Sequence, residues 1–491
     1  MLVILLFCVF LATSLDVVLI PHAHCDAGYR ETFLGYFASK VNHTLNTVTQ
    51  VLAADPTKRF VWEEVSFLQL WWAEQSEASK ANFKKLLENG QLELIGGGLV
   101  MHDEADGTVA QQIDQMAQGL QWLEETFGPK HRPHIQWQID PFGHSSTNPV
   151  IHAMMGFDTL VLNRIDWGVK TLMKQEQSLQ FLWDGNSMLP NEKSRLLAHV
   201  LDSHYSTPPL TAATVAGRAA QLAKTALFRS KWYNSSVLLI PFGGDFQFTQ
   251  AQEQFSHMDA LLSYISAHAN DPAHPEFHGL SVRYGTLSDY FTQLLAHNQT
   301  FPVRADQDFF PYLACSDTDA SCQDFAGNPS GAPDAYWSGY FAGKPAQKIL
   351  SALQDASLRA AEALYAARMV ARPAGAQRRA AYPDSGTQWQ RLEFARFQSG
   401  LYQHHDAITG TSFVNCTISS TQCDCYDDYT QRMEAAMQGT AAVVSELLTS
   451  ILSKEAAKLP SKAEDQKEER ESEESAGAGG GGAGGGGGGR G

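Results

Sequence analysis

Three short stretches bring together side chains that bind metals or move protons. The first is Pro21-His22-Ala23-His24-Cys25-Asp26-Ala27-Gly28-Tyr29. In an extended strand, residues two apart share a face, so His24 and Asp26 point the same way. One imidazole beside one carboxylate suits Zn²⁺, Co²⁺ or Mn²⁺, and a simple hydrogen-bonded His–Asp pair is the structural alternative. Cys25 points to the other face, as a buried thiol rather than a ligand. The second stretch is Trp137-Gln138-Ile139-Asp140-Pro141-Phe142-Gly143-His144-Ser145. An apolar strand stops at Asp140, Pro141 cannot extend it, and Gly143 permits a tight turn. A carboxylate left at the mouth of a sheet is costly unless paired, metal-bound or catalytic. The third is Gln403-His404-His405-Asp406-Ala407-Ile408-Thr409-Gly410-Thr411, which gains meaning only if its helix end faces the other two.

The elements that position these groups repeat one theme over residues 16–310. A short apolar strand ends in a polar residue, and helical spacing follows. The strands are expected at Asp16–Pro21, Arg59–Trp62, Leu92–Gly97, His134–Ile139, Thr159–Leu162, Leu179–Trp183, Val237–Pro241 and Leu280–Tyr284. Apolar runs alternating with helices predict an α/β fold, a seven- or eight-stranded parallel sheet closed into a barrel or nearly so. Chemistry in such folds gathers at the C-terminal strand ends. His22, His24, Asp26, Glu63, Glu64, Asp140 and Arg164 all fall there. Beyond Pro345 the spacing turns helical, with Met433, Met437, Thr440, Val444, Leu447 and Ile451 forming one stripe, and predicts a three-helix bundle. The expected organisation is an apolar N-terminus or signal peptide over 1–15, an α/β domain over 16–340, a helical domain over 341–459 and a disordered tail over 460–491. Twelve of the 39 glycines lie in that tail, which cannot bury enough apolar surface to offset chain entropy.

Charge narrows the partners. With 36 basic and 53 acidic residues the net charge is −17, which repels phosphate backbones and makes nucleic acid an unsuitable partner. The run Leu2–Ala12 is too short for the ~20 residues of a stable membrane span. It resembles a secretory signal, in keeping with sequons at Asn42, Asn234, Asn298 and Asn415. Cys315 with Cys322, and Cys416 with Cys423 and Cys425, suit short-range disulfides; a zinc knuckle is the alternative for the second cluster.

The pieces His22–Tyr29, Phe60–Trp72, Gly90–Glu104, Ile113–Glu124, Trp137–Ser146, Tyr336–Pro345 and Gln403–Thr411, in this order, resemble the class II, zinc-dependent α-mannosidases of glycoside hydrolase family 38. The resemblance covers most of residues 16–450. It implies one Zn²⁺ per chain, held by His24, Asp26, Asp140 and His405, chelating the 2-OH and 3-OH of mannose. It also implies retaining hydrolysis of mannose from an oligosaccharide or glycoprotein glycan in the secretory lumen, Golgi or lysosome. Asp140 would serve as nucleophile, with a second carboxyl roughly 5–5.5 Å away as acid/base. The acidic stretch ahead of Trp337-Ser338-Gly339-Tyr340-Phe341 implies Asp334 for that role, with Asp317 competing. Tyr29 and Phe142 would be sugar-stacking walls, and Arg164 and Asp406 hydrogen-bond partners. In three respects the chain departs from the family. Tyr29 replaces a usual Trp, Gly243-Gly244-Asp245 stands where relatives tend to have Gly-Asp-Asp, and Gly repeats follow the helical segment where relatives carry β-rich domains. A metal-dependent polysaccharide deacetylase-like hydrolase and a non-catalytic mannose-binding module are the competing functions.

Overall fold

The computed structural model describes residues 14–297, 299–314, 335–370, 386–413, 416–418, 421–423 and 425–456. Asp317 and Asp334, Cys315 and Cys322, the sequons Asn298 and Asn415, residues 1–13 and the tail lie outside the described residues. The chain divides into two compact units, Met1–Asp355 with Glu393–Ala436, and Ala356–Leu392 with Met437–Gly491.

In the first unit, strand β1 (Leu15–His24) is the organising element. It pairs in parallel with β2 (Phe60–Trp62), β8 (Val237–Asp245) and β9 (Leu280–Tyr284), and β2 pairs in parallel with β3 (Leu92–Leu94). A second five-stranded sheet has the order β10-β6-β7-β5-β4, from β4 (Ile135–Gln138), β5 (Thr159–Leu162), β6 (Gln180–Asp184), β7 (Arg195–Val200) and β10 (Val303–Ala305). The eight expected strands are all present, with ends shifted by a few residues. Two features correct the expectation of one all-parallel sheet. The ladders fall into two sheets, whose edges meet through the Gly96 N–H donating to the Ile135 carbonyl at 2.9 Å. In addition β6 runs antiparallel to β7, because the ten residues from Gly185 to Ser194 make a hairpin-like return too short for a crossover helix.

Alternation along β1 shows how the two sheets share one interior. Val17 and Leu19 face the outer core with Phe60, Trp62, Leu160, Leu238 and Ile240. Val18 and Ile20 face an inner core that takes Val61 and Leu239 from the first sheet and Trp137, Val161 and Leu197 from the second. Each such side chain contributes roughly 1.5–3 kcal/mol of burial, enough to hold a strand whose last residues are polar. His22 and His24 continue the inward row.

Three long helices follow: Pro345–Val370, Gly386–Leu401 and Cys425–Ala456. Within the first unit the Gln347 amide donates to the Tyr426 carbonyl at 2.8 Å and the Gln354 amide to the Ala395 carbonyl at 2.9 Å. Within the second, Gln388 and Arg391 both donate to the Glu446 carboxylate, and Tyr365 lies against Trp389. The segment Cys425–Ser453 is long and apolar enough to cross a membrane. Its buried residues, Cys425, Tyr429, Met433, Ala436, Thr440, Val443 and Leu447, recur every three or four positions, as on a helix packed along one face.

Candidate metal centre and active site

The first two polar stretches reach the same point through the strands that carry them. β1 delivers His24 and, just past its end, Asp26. β4 leads into Asp140, and Gly143, at φ +96°, turns the chain immediately afterwards. The third stretch arrives by backbone pairing. His102 and His404 form an antiparallel bridge, the Asp103 N–H donates to the Gln403 carbonyl at 3.0 Å, and the His405 N–H donates to the Met101 carbonyl at 3.3 Å. The loop after β3 therefore pins the histidine pair at the mouth of the inner core.

His24, Asp26, Asp140 and His405 are all buried, each offering one donor atom within 4.8 Å of the others. His24 Nε2 lies 2.9 Å from Asp26 Oδ1 and 3.2 Å from Asp140 Oδ2. His405 Nε2 lies 3.4 Å and 3.2 Å from the same two oxygens. The His405 Nδ1–H donates to the Met101 carbonyl at 2.8 Å, which leaves the Nε2 lone pair aimed inward. His24 Nε2 and Asp26 Oδ1 are both buried and face each other as a close ion pair without a well-aligned hydrogen bond. Unsatisfied buried donors and acceptors are rare and need a reason. Two imidazole nitrogens and two carboxylate oxygens converging on one point fit a divalent cation such as zinc.

Electrostatics assign different tasks to the two oxygens of Asp140. Its Oδ1 accepts from the Arg164 Nε–H at 2.6 Å and pairs with a second guanidinium nitrogen. Its Oδ2 faces the two imidazoles. Burial opposes ionisation, but Arg164 and the histidines outweigh it and hold the carboxyl well below its ordinary range. Burial likewise opposes the charged forms of His24 and His405, yet Asp26 and Asp140 push both imidazoles well upward. Glu64, whose Oε2 accepts from the Met101 N–H at 3.2 Å, is pushed up to about 7 by burial.

The remaining expected residues lie close by. Asp406 is buried, with its Oδ2 3.5 Å from His404 Nε2 and its Oδ1 accepting from the Thr411 hydroxyl. Tyr29 is half-buried, edge-on to Phe413. Phe142 is only 3% exposed and packs among Trp337, Tyr340 and His405, which favours packing over an open sugar wall. Two further residues were given no role by the sequence. Tyr205 is buried 5.1 Å from the His24 ring and donates its hydroxyl to Asp245 Oδ1 at 2.9 Å. Asp245 is paired in register with His24 on the neighbouring strand, so both face the same side, and its side chain is exposed. Desolvation by the surrounding protein, with Asp26 and Asp140 adding like charge and His24 offsetting them, pushes it up to about 6. The signal available was the polar end of the Val237–Asp245 run.

Residues 14–314 match the glycosyl hydrolases family 38 N-terminal domain, and residues 335–451 match the alpha mannosidase middle domain. The chain is 33% identical over 449 residues to alpha-mannosidase F of Dictyostelium discoideum, covering 89% of this chain and 40% of that protein. It is 34% identical to alpha-mannosidase 2x of Mus musculus (81% and 36%) and 31% identical to the lysosomal alpha-mannosidase of Dictyostelium discoideum (92% and 43%). It thus spans about two fifths of the length of these relatives. Among solved structures, an alpha-mannosidase from Enterococcus faecalis V583 superposes with a TM-score of 0.61 over 89% of this chain and 43% of its own, at 12% identity.

Proposed function

Because the chain belongs to glycosyl hydrolase family 38, we propose that it hydrolyses α-linked mannose from N-glycans or oligomannosides, with retention of configuration, using one Zn²⁺ held by His24, Asp26, Asp140 and His405. The observation that carries this reading is the convergence of four buried donors from three distant stretches. Bound there, the ion supplies a Lewis acid that selects the adjacent 2-OH and 3-OH of mannose.

The protein's own groups do the rest. Asp140, kept ionised and aimed by Arg164, attacks the anomeric carbon as the glycosidic bond breaks. The departing oxygen needs a proton, and we assign its donor as Asp245 in place of Asp334. Asp245 stands in register beside His24, is exposed, and holds a hydrogen bond from Tyr205. In the second half-reaction the same carboxylate takes a proton from water, which displaces Asp140. Tyr29 offers a half-buried ring to the sugar, and Asp406 a hydrogen-bond acceptor.

We read residues 16–340 as the catalytic domain and 341–459 as a helical domain that brings in His405, a division supported by the matched ranges. The secretory lumen is the proposed location. The backbone register of Cys416 with Cys423 across a two-stranded hairpin supports a disulfide suited to that compartment.

The test is hydrolysis of an aryl α-mannoside followed by proton NMR, alongside metal analysis of wild type and Asp26→Ala. α-Mannose should be the first-formed sugar. The variant should hold one zinc ion fewer per chain and lose turnover. β-Mannose, acetate release from an acetylated polysaccharide, or full zinc content in the variant overturns the reading.

A further inference from the structure

Away from this centre, the segment joining the helix Ala251–Ala267 to β9 carries the spacing His268-x-x-Asp271-x-x-His274. Its three side chains bring one donor atom each to within 4.8 Å of one another, and all three are half-buried. The two imidazoles are held in fixed orientations. His268 stacks on Tyr264 at 4.1 Å between ring centres, and its Nδ1 bonds the Tyr264 carbonyl at 2.8 Å. His274 stacks on Phe277, and its Nδ1 lies 3.2 Å from Glu276 Oε1. With each Nδ1–H donated to a carbonyl or carboxylate, each Nε2 lone pair is left for a ligand, the arrangement that orients metal-binding histidines. Asp271 Oδ1 accepts from the Ala273 N–H at 2.9 Å, leaving its other oxygen. Backbone bonds from Asp271 to the His268 carbonyl (3.1 Å) and from His274 to the Asp271 carbonyl (2.9 Å) set the loop that brings the three together.

We propose that His268, Asp271 and His274 form a second metal site, selective for a borderline divalent cation such as Zn²⁺ or Co²⁺. Two imidazoles and one carboxylate favour such ions over Mg²⁺ or Ca²⁺, and partial exposure leaves water to complete the coordination. The ion would clasp the loop between helix and strand, without touching substrate.

Four forms of the chain test this after dialysis against Zn²⁺: wild type, Asp26→Ala, His268→Gln/His274→Gln, and the triple variant. His268→Gln/His274→Gln should hold one ion fewer than wild type and hydrolyse the aryl mannoside at an unchanged rate. Asp26→Ala should keep an ion that the triple variant lacks. Adding Zn²⁺ to Asp26→Ala should slow amide hydrogen exchange over residues 268–278. Equal metal content in wild type and His268→Gln/His274→Gln, or exchange in that loop indifferent to Zn²⁺, overturns the proposal.

Discussion

Asp140 shows how one carboxylate serves two partners. Arg164 takes one oxygen and the imidazole pair faces the other, so ionisation is sustained in a buried place. Asp245 has the opposite balance, with desolvation and the like charges of Asp26 and Asp140 outweighing the offset from His24. Two carboxyls pushed in opposite directions are the usual basis for dividing nucleophile from acid. The consequence is measurable through the leaving group. Asp245→Asn should slow hydrolysis of methyl α-mannoside by about 10²–10⁴-fold, the range for general acid catalysis. Formation of the covalent intermediate from dinitrophenyl α-mannoside, whose leaving group needs no proton, should stay close to wild type in a pre-steady-state burst. An equal loss with both substrates would mean that Asp245 is only structural. His24 and Asp140 were legible as polar residues at the ends of apolar strands and Asp26 by its two-residue spacing from His24, whereas His405 entered only through the family resemblance of Gln403–Thr411. Asp245 gained its meaning only from the β1–β8 register, which joins residues more than two hundred positions apart.

The turn after β4 is the element on which the centre depends most. Gly143 sits at φ +96°, and a Cβ there would come within 2.5 Å of the Phe310 ring. Its N–H donates to the Arg164 carbonyl at 3.1 Å, tying the Asp140 loop to the strand end that carries the guanidinium partner of Asp140. His144 and Ser145 are both anchored on Glu104, at 2.8 Å each. Gly156 has a similar φ of +89°, but a Cβ there meets nothing within 4 Å. The pair separates backbone strain from crowding. Gly156→Ala should cost about 1 kcal/mol in urea unfolding, and Gly143→Ala about 2–4 kcal/mol with a drop in mannoside turnover. Equal costs and intact turnover in both would remove the loop from the argument. Sequence pattern reached most elements here, since Asp140-Pro141-Phe142-Gly143 reads directly as strand end and turn. It missed β7 and β10. Arg195–Val200 begins with a cation and places His199 near its end, and its partners are selected by a hairpin return and by β5, neither of which leaves a periodic trace.

At the scale of the whole molecule, acidity acts on stability through histidines that the fold keeps neutral. His22 and His199 are both buried, and burial lowers each from 6.5 to about 3. His102 and His152 are shifted in the same direction for the same reason. In the unfolded chain these imidazoles gain protons below about pH 6.5, whereas in the folded chain His22 and His199 resist until about pH 3. The contribution of these histidines to folding stability is therefore full above pH 6.5 and is lost as pH falls, by up to about 1.4 kcal/mol per pH unit for each such group. His199 isolates the effect, because it is not among the clustered donors His24, Asp26, Asp140 and His405. Gln180 donates to the Tyr290 hydroxyl oxygen at 2.6 Å, so the Tyr290 O–H turns to His199 Nδ1 at 3.1 Å, and that nitrogen must accept. Tyr233 stacks on the ring at 5.1 Å, within 5° of parallel. His199→Gln loses that stack at every pH, and with it the proton penalty. The stability difference between wild type and variant, from urea unfolding at fixed zinc, should shrink by about 1.4 kcal/mol for each unit between pH 6 and pH 4. Because the other titrating groups are common to both proteins, they cancel in the difference. A gap that stays constant across that range would show that His199 is protonated in the folded chain as readily as in the unfolded one.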